Sequence, residues 1–412
     1  MTARIVPNVG FRAMDQATLE RLADLAVTVG ANVQPGQIVC VHTDVERIPL
    51  SRAVADRAYR AGARHVEVVY ADPWLQRSRI QHGPDDSIGF APSWAVDRIR
   101  EMGEQHVATI RLEGAFDPAA LEGLDGERLG HDQPPTRQEM IKLVTGRLTN
   151  WTIVPAPTME WAQMVHPDLS PEAALAQLWE EVVFICRLDH PEPAQAWLER
   201  MHRLREVAAM LDERRFSAIA FKGDGTDLTV GLLPTSRWLA ASFSRFDGLE
   251  HHPNIPSEEV FTAPDPLRVD GHVRATKPLD LEGTVIEGLR VRFEGGKAVE
   301  IDADRGADVL RTRCSLDEGA SRLGELALVD GEGRIGQLDT VFFTTLIDEN
   351  AASHLALGNA YGFSVEDDAD RERANSSVIH IDFMIGAPEL EVDGVEQDGT
   401  RVPLLRGGAW QI

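Results

Sequence analysis

Residues 35–70 read PGQIVCVHTDVERIPLSRAVADRAYRAGARHVEVVY, and this stretch decides the fold class of the first half of the chain. A run rich in β-branched residues, 37–41, follows a Pro-Gly turn, and a second such run covers residues 65–70. Between them, residues 50–62 are rich in Ala and Arg and have helical periodicity. This strand–helix–strand order predicts a parallel sheet with helices packed on its faces.

Helix signals continue beyond this unit. Ser170-Pro171-Glu172 is a strong helix start, because Ser caps the first turn and Pro is tolerated within it. A His-Pro-Glu-Pro break at residues 190–193 precedes another amphipathic helix. We place a domain boundary near residues 190–215, because helical patterns give way there to short β-rich runs.

The second half of the chain is richer in strands. Short β-rich runs occupy residues 217–222, 226–232, 284–293 and 298–301, and Gly295-Gly296 indicates a tight hairpin turn. Helix patterns persist at about 305–313 and 350–361. The sequence therefore predicts an α/β amino-terminal domain at residues 1–200 and a β-rich α+β carboxy-terminal domain at residues 201–412.

Composition excludes several classes of function. The 412 residues carry a formal net charge of −25, which argues against a nucleic-acid partner, because phosphate binding needs a surplus of Lys and Arg. Cys40, Cys186 and Cys314 have no metal-binding spacing and are expected to be reduced and mostly buried. No signal peptide and no uncharged apolar run of about 18 residues is visible, so we expect a cytoplasmic protein without a membrane span.

The residues that could carry chemistry lie between positions 250 and 385. Glu258 and Glu259 occupy a proline-rich segment that we expect to be a stiffened loop. Glu325 interrupts an apolar run, GELALVD, where a buried carboxylate is costly unless it is paired or binds a cation. The alternative is that Glu325 caps a strand at the surface.

Two further segments contribute histidines. His354 and Tyr361 are seven residues apart, which would place them on one face of a helix, where such residues more often pack or hydrogen-bond than bind metal. His380 and Asp382 alternate with apolar residues, which predicts a strand with both on one face. They could form a hydrogen-bonded pair or bind a divalent ion. Together these oxygen and nitrogen donors, without a thiolate, suit Zn, Co or Mn in a catalytic site.

Four segments in this half resemble the aminopeptidase T family, peptidase family M29. They read NIPSEEVFTAPD, GELALVD, RIGQLDTVFFTTLIDENAASHLALGNAY and SSVIHIDFMIG. The resemblance implies that two divalent metal ions are held by Glu259, Glu325, His354, Tyr361, His380 and Asp382, with Glu325 bridging the ions. Glu349 would be a further ligand or the general base, and Glu258 is a less suitable substitute for Glu259.

The function implied by this resemblance is removal of the amino-terminal residue from short peptides by a homodimeric enzyme. A water activated by two metal ions would attack the peptide bond, with Glu349 or Glu259 moving the proton and Tyr361 able to contact the tetrahedral intermediate. The main alternative is a related ring-cleaving dihydroxypyridine dioxygenase with a single Fe(II) ion. A non-catalytic, metal-stabilised protein is the third.

Two other features of the sequence could suggest a binding site, but we assign no function to them. Residues 331–336 match the pattern GxGxxG, but a dinucleotide-binding turn must lead into a helix. Because residues 341–345 have the composition of a strand, we expect residues 331–336 to be a loop between strands. His251 and His252 are interpreted as exposed loop histidines rather than ligands.

Overall fold

The computed structural model describes residues 15–115, 120, 123–240, 242–281, 284–338 and 340–412. Its first part is an α/β unit built on a parallel sheet of four strands in the order β2-β1-β3-β4. The strands are β1 Ile38–Thr43, β2 His65–Tyr70, β3 Ala108–Glu113 and β4 Trp151–Pro155. The parallel sheet expected from residues 35–70 is therefore confirmed, because β1 pairs in parallel with both β2 and β3.

Nine helices described in this part cover the sheet or follow it. They are α1 Gln16–Leu25, α2 Ile48–Arg60, α3 Pro73–His82, α4 Ser93–Glu104, α5 Gly126–His131, α6 Pro135–Thr145, α7 Met159–Val165, α8 Pro171–Ile185 and α9 Pro193–Arg214. The expected start of α8 is confirmed, since the Ser170 side chain accepts a hydrogen bond from Ala173 N. Its hydroxyl satisfies one of the free N–H groups of the first turn.

The second part is dominated by antiparallel strands. These are β5 Ala218–Gly223, β6 Thr226–Leu232, β7 Leu239–Ala240, β8 Phe243–Ser244, β9 Glu250–His251, β10 Glu259–Thr262, β11 Pro264–Arg274, β12 Leu279–Leu281, β13 Thr284–Ile286, β14 Arg290–Glu294, β15 Lys297–Asp302, β16 Leu323–Val329, β17 His354–Gly358, β18 His380–Met384, β19 Glu391–Val395, β20 Arg401–Arg406 and β21 Ala409–Trp410. Three short helices lie among them: α10 Ala307–Arg313, α11 Thr345–Asp348 and α12 Asp368–Arg371.

Two large sheets organise these strands. One has eight strands in the order β15-β14-β11-β6-β5-β19-β20-β21. The other has five strands in the order β18-β17-β16-β10-β7, and we call it the site sheet. Gly295 and Gly296, both with positive φ, join β14 to β15 in the expected hairpin. The predicted fold class, an α/β part followed by a β-rich α+β part, is confirmed.

Three local predictions in this half are wrong. The helix expected at 350–361 is a helical turn followed by β17, because residues 354–358 pair on both sides with β16 and β18. Residues 341–344 form no strand and lead into α11, although residues 331–336 are a loop as expected. The run at 284–293 is divided into β13 and β14. For residues 354–358, pairing with β16 and β18 overrides the local propensity.

Helix α9 connects the two hydrophobic cores. Its Trp197 and Met201 belong to the core around the parallel sheet, while Leu204 and Leu211 belong to the core between the antiparallel sheets. The division at residues 200 and 201 stays a prediction. The three cysteines are free and buried, as expected. Among the described residues, no helix combines the length and the apolar character needed to cross a membrane.

Candidate metal centre

Five of the predicted ligands lie on one face of the site sheet. Glu325 and Asp382 both flank Ala356, in one row across β16, β17 and β18, and His354 lies opposite Ala327 in the next row. Because directly paired residues of an antiparallel sheet project to the same side, these side chains share a face. His380, two residues before Asp382 on β18, and Glu259, at the start of β10, project to this face as well.

Small residues separate the ligands on this face. Ala356 stands between Glu325 and Asp382, Ala327 lies beside His354, and Gly358 pairs with His380. Short side chains at these positions leave room above the sheet for a bound group. The opposite face is continuous with the hydrophobic core, through Leu326, Leu328, Leu355, Leu357 and Phe383. Burial of that face fixes the strand register, and a fixed register holds the ligands in place.

Glu325 stands at the centre of the cluster. Its Oε1 lies 3.7 Å from His354 Nε2 and its Oε2 lies 3.4 Å from His380 Nε2. His354 Nε2 is also 3.2 Å from Glu259 Oε2, and His380 Nε2 is 3.4 Å from Asp382 Oδ1. The ligand atoms therefore form two groups within 4.8 Å, Glu259–Glu325–His354 and Glu325–His380–Asp382, which share Glu325. Glu325 is buried within β16, so the interpretation of it as a surface cap is wrong.

Backbone carbonyls orient both histidines. His354 Nδ1 lies 3.1 Å from Ala352 O, and His380 Nδ1 lies 2.8 Å from Asn359 O. A carbonyl oxygen only accepts hydrogen bonds, so each Nδ1 carries the proton and donates it. In the neutral ring this leaves the lone pair of Nε2 directed at the carboxylates. Such outer hydrogen bonds are the usual way in which proteins hold a metal-binding imidazole.

The electrostatics of the cluster favour added positive charge. Burial opposes protonation of His354 and His380, but the neighbouring carboxylates raise the pKa of both well above the usual value. Burial raises the pKa of Glu259, in spite of His354 beside it. Glu259 Oε2 is also buried without a partner in hydrogen-bond geometry among the described residues. A buried, incompletely satisfied oxygen in a group of carboxylates is the environment that a divalent cation stabilises.

Glu349 and Tyr361 reach the cluster from segments outside the site sheet. Glu349 begins the helical turn Glu349–Ala351, and burial together with Asp382 and Glu259 raises its pKa well above the usual value. The Tyr361 ring lies 5.0 Å from that of His380, centroid to centroid, and 40% of the residue is exposed. Partial desolvation and the nearby carboxylates raise the pKa of Tyr361, which keeps the phenol protonated.

Glu258 has a different environment from Glu259, and it does not belong to the ligand groups. It is fully buried and forms ion pairs with Arg187 at 2.8 Å and Arg200 at 2.5 Å. Its backbone N donates to Asn350 Oδ1 at 2.6 Å. Asn350, which the sequence reasoning missed, therefore ties the strand of Glu259 to the turn of Glu349. The sequence feature that could have indicated Asn350 is its position directly after Glu349, in a segment of acidic residues.

His251 and His252 are buried, with 2% and 5% of their surface exposed, so their interpretation as exposed loop residues is wrong. His251 packs against Trp151 and Phe243, which also contact each other. Ser242 Oγ lies 3.0 Å from His252 Nδ1. Neither belongs to the two ligand groups found among the described residues.

Comparison with known proteins assigns the class. A family model described as thermophilic metalloprotease (M29) matches residues 15–410. Aminopeptidase T of Thermus thermophilus is 43% identical over 402 residues, which cover 96% of this chain and 98% of that protein. Aminopeptidase 2 of Geobacillus stearothermophilus is 36% identical over 402 residues, with coverages of 95% and 97%. The fold, the donor set and these relatives define a metallopeptidase.

The structural comparison narrows this assignment. The solved structure of wild-type AmpT from Thermus thermophilus aligns with a TM-score of 0.90 at 42% identity, over 96% of this chain and 99% of that chain. The chain belongs to the M29 family of thermophilic metalloproteases, a family that implies divalent metal ions. A 2,5-dihydroxypyridine dioxygenase from Pseudomonas putida KT2440 aligns over 97% of this chain with a TM-score of 0.52 at 13% identity, which shows a shared fold alone. The dioxygenase alternative is therefore the weaker one.

Proposed function

We propose that this metallopeptidase removes the amino-terminal residue from short peptides, and that it does so with two divalent ions bound on the site sheet. One observation carries the two-ion proposal: the two oxygens of Glu325 face different histidines, at 3.7 Å and 3.4 Å. A carboxylate that offers one oxygen to each of two ligand groups suits a bridge between two ions. The names of the relatives, all aminopeptidases, support the exopeptidase activity.

The proposed ligands divide into two sets. Glu259, His354 and one oxygen of Glu325 would hold the first ion, and His380, Asp382 and the other oxygen of Glu325 would hold the second. The two ligand groups together hold three carboxylates, those of Glu259, Glu325 and Asp382, and two imidazoles. So many buried carboxylates in one place suit the positive charge of bound cations.

Bound divalent ions would supply a Lewis acid that acidifies water and polarises the peptide carbonyl. The chain supplies the proton transfer and the orientation. Glu349 lies outside both ligand groups but inside their electrostatic field, which favours its role as the general base over that of a ligand. Tyr361, partly exposed beside His380, can reach substrate either as a hydrogen-bond donor to the tetrahedral intermediate or as a further ligand.

The donor set limits the choice of ion. Oxygen and imidazole donors without thiolate suit Zn, Co or Mn, and metal availability in the cell decides among them. The predicted homodimer and the predicted cytoplasmic location stay predictions.

Release of free amino acid from leucyl and other unblocked dipeptides tests the function. We expect activity that requires added Zn, Co or Mn and is lost when the substrate's amino terminus is acetylated. Hydrolysis of acetylated and free peptides at equal rates would contradict an aminopeptidase. Oxygen consumption with Fe(II) and a dihydroxypyridine, without peptide hydrolysis, would assign the chain to the dioxygenase class instead.

A further inference from the structure

A small cavity lies against the end of the ligand row. It has a volume of about 50 Å³, and Asp382, a proposed ligand, forms part of its wall. Met384, two residues farther along β18, lines it as well. Alternate residues of a strand project to the same side, so Met384 lies on the face that carries the proposed ligands. The cavity therefore adjoins the last of these ligands on β18. A group bound at Asp382 would have the cavity as its immediate neighbour.

Most of the remaining wall is apolar and comes from two other segments. Leu279 and Val285 of the β12–β13 hairpin line it, and Val341 and Phe343 come from the loop before α11. The hairpin is attached to β18, since Thr276 N, three residues before it, donates to Met384 O at 2.9 Å. Three separately anchored segments therefore border one mostly apolar space beside the proposed ligands.

A second acidic residue among the described residues of the wall holds the loop in place. Asp348, with 6% of its surface exposed, accepts hydrogen bonds from Phe342 N at 2.8 Å and Thr344 N at 3.1 Å. These bonds hold Phe343 and Thr344 against the cavity. The carboxylate is thus occupied in shaping the wall, and most of the other residues that line the cavity are apolar.

At the other end of β18, where His380 begins the strand, the site is open. Tyr361 stacks on Phe363 at a centroid distance of 5.4 Å, beside His380, and the two aromatic residues are 40% and 41% exposed. An enzyme that removes one terminal residue needs an enclosed space on one side of the scissile bond and free passage for the remaining chain on the other. The cavity at the Asp382 end meets the first need, and the open aromatic face at the His380 end meets the second.

We propose that this cavity receives the side chain of the amino-terminal residue and favours apolar side chains such as that of leucine over glycine, which has no side chain. This inference rests on the proposed function and names its specificity pocket. The position of the cavity against Asp382 and its mostly apolar lining support it.

Substitutions that fill the cavity test this proposal. Val285→Phe and Val341→Phe each add bulk to the wall from a different segment, so that misfolding of one variant leaves the other. Val299→Phe is the matched control, because Val299 lies on β15 with 41% exposure and does not line the cavity. We expect kcat/KM for leucyl peptides, divided by that for glycyl peptides, to fall about tenfold or more in the two cavity variants and to stay unchanged in the control. An unchanged ratio in active, folded cavity variants would overturn the proposal.

A binding measurement separates this proposal from the proposed function. Calorimetric titration of the metal-loaded protein with free leucine and with glycine requires no catalysis. We expect leucine to bind at least tenfold more tightly, with the preference lost in Val285→Phe. Selective leucine binding without hydrolysis of any peptide would support the pocket and refute the aminopeptidase. Equal binding of leucine and glycine by an active enzyme would refute the pocket alone.

Discussion

Nε2 of His354 lies 3.7 Å from Oε1 of Glu325, its diagonal neighbour across the strand pair β16–β17. Nδ1 of the same ring donates to Ala352 O, so Nε2 is the nitrogen left for a metal ion. The second oxygen of Glu325 faces His380 in the same way. This arrangement makes Glu325 the one residue on which both proposed ion sites depend.

Replacing Glu325 by Gln is therefore expected to weaken both ions together. The variant loses the negative charge shared by the two ligand groups, and we expect metal affinity to fall at least 100-fold, with activity lost in parallel. Metal content measured by mass spectrometry after dialysis checks this. Glu300→Gln, on the exposed strand β15, is the matched control and should retain full metal content. A Glu325→Gln protein that keeps both ions would contradict the bridging role.

Substitutions of the adjacent residues Glu258 and Glu259 are expected to affect different properties, folding stability and metal binding respectively. Glu259→Gln should lower metal content with little change in the stability of the metal-free protein. Glu258→Gln should keep the metal but lower the free energy of unfolding by about 3 kcal/mol, because it leaves Arg187 and Arg200 without their full buried counter-charge. Urea unfolding and metal analysis of both variants check the pair. The reverse pattern, with metal lost in Glu258→Gln, would exchange their roles.

Substitution of Glu349 by Gln separates a general base from a ligand. As a base, Glu349 can be replaced without loss of metal, while kcat falls about 10²- to 10⁴-fold and KM changes little. Steady-state kinetics at saturating metal, together with metal content, check this expectation. A variant that loses an ion would make Glu349 a ligand, and one with unchanged kcat would exclude it from catalysis.

His251 is expected to make the fold sensitive to acid. Burial lowers the pKa of His251 to about 4, whereas an unfolded histidine titrates near 6.5. The unfolded chain then binds the extra proton, so this residue's contribution to stability is present above pH 6.5 and is lost as the pH falls towards 4. Between pH 7 and pH 5 the loss is about 2 kcal/mol.

Urea unfolding of His251→Phe at pH 7 and pH 5 measures this contribution. We expect the variant to lose about 2 kcal/mol less than the unmodified protein over that range, since Phe can pack against Trp151 and Phe243 without a titratable group. His202→Phe, at an exposed position of α9, should leave the pH dependence unchanged. Equal acid sensitivity in the His251→Phe variant would show that other groups cause it.

Local patterns predict the fold where strands and helices follow their own periodicity. The strand at 65–70 and the helix beginning after Ser170 have bounds close to those expected, because β-branched residues and a cap act within a few residues. Residues 354–358, His-Leu-Ala-Leu-Gly, suit a helix by composition. They form a strand because β16 and β18 pair with them, and both partners are distant in sequence.

Some features of the site can likewise be predicted from local patterns, and others cannot. Period-2 alternation predicts that His380 and Asp382 share a face, and they lie 3.4 Å apart. The relation of Glu325 to either histidine depends on the register of three strands, which no local pattern encodes. The burial of His251 likewise depends on Trp151, 100 residues away in the chain. Non-local packing therefore decides which candidate side chains meet.

Metal stoichiometry measured together with activity tests the central claim most directly. Metal-stripped protein is titrated with Zn, Co or Mn while release of leucine from an unblocked leucyl dipeptide is followed. We expect activity to rise until about two equivalents per chain are bound and then to level off, as two ligand groups sharing Glu325 require. Full activity at one equivalent, with no second ion bound at higher concentrations, would contradict the two-ion account.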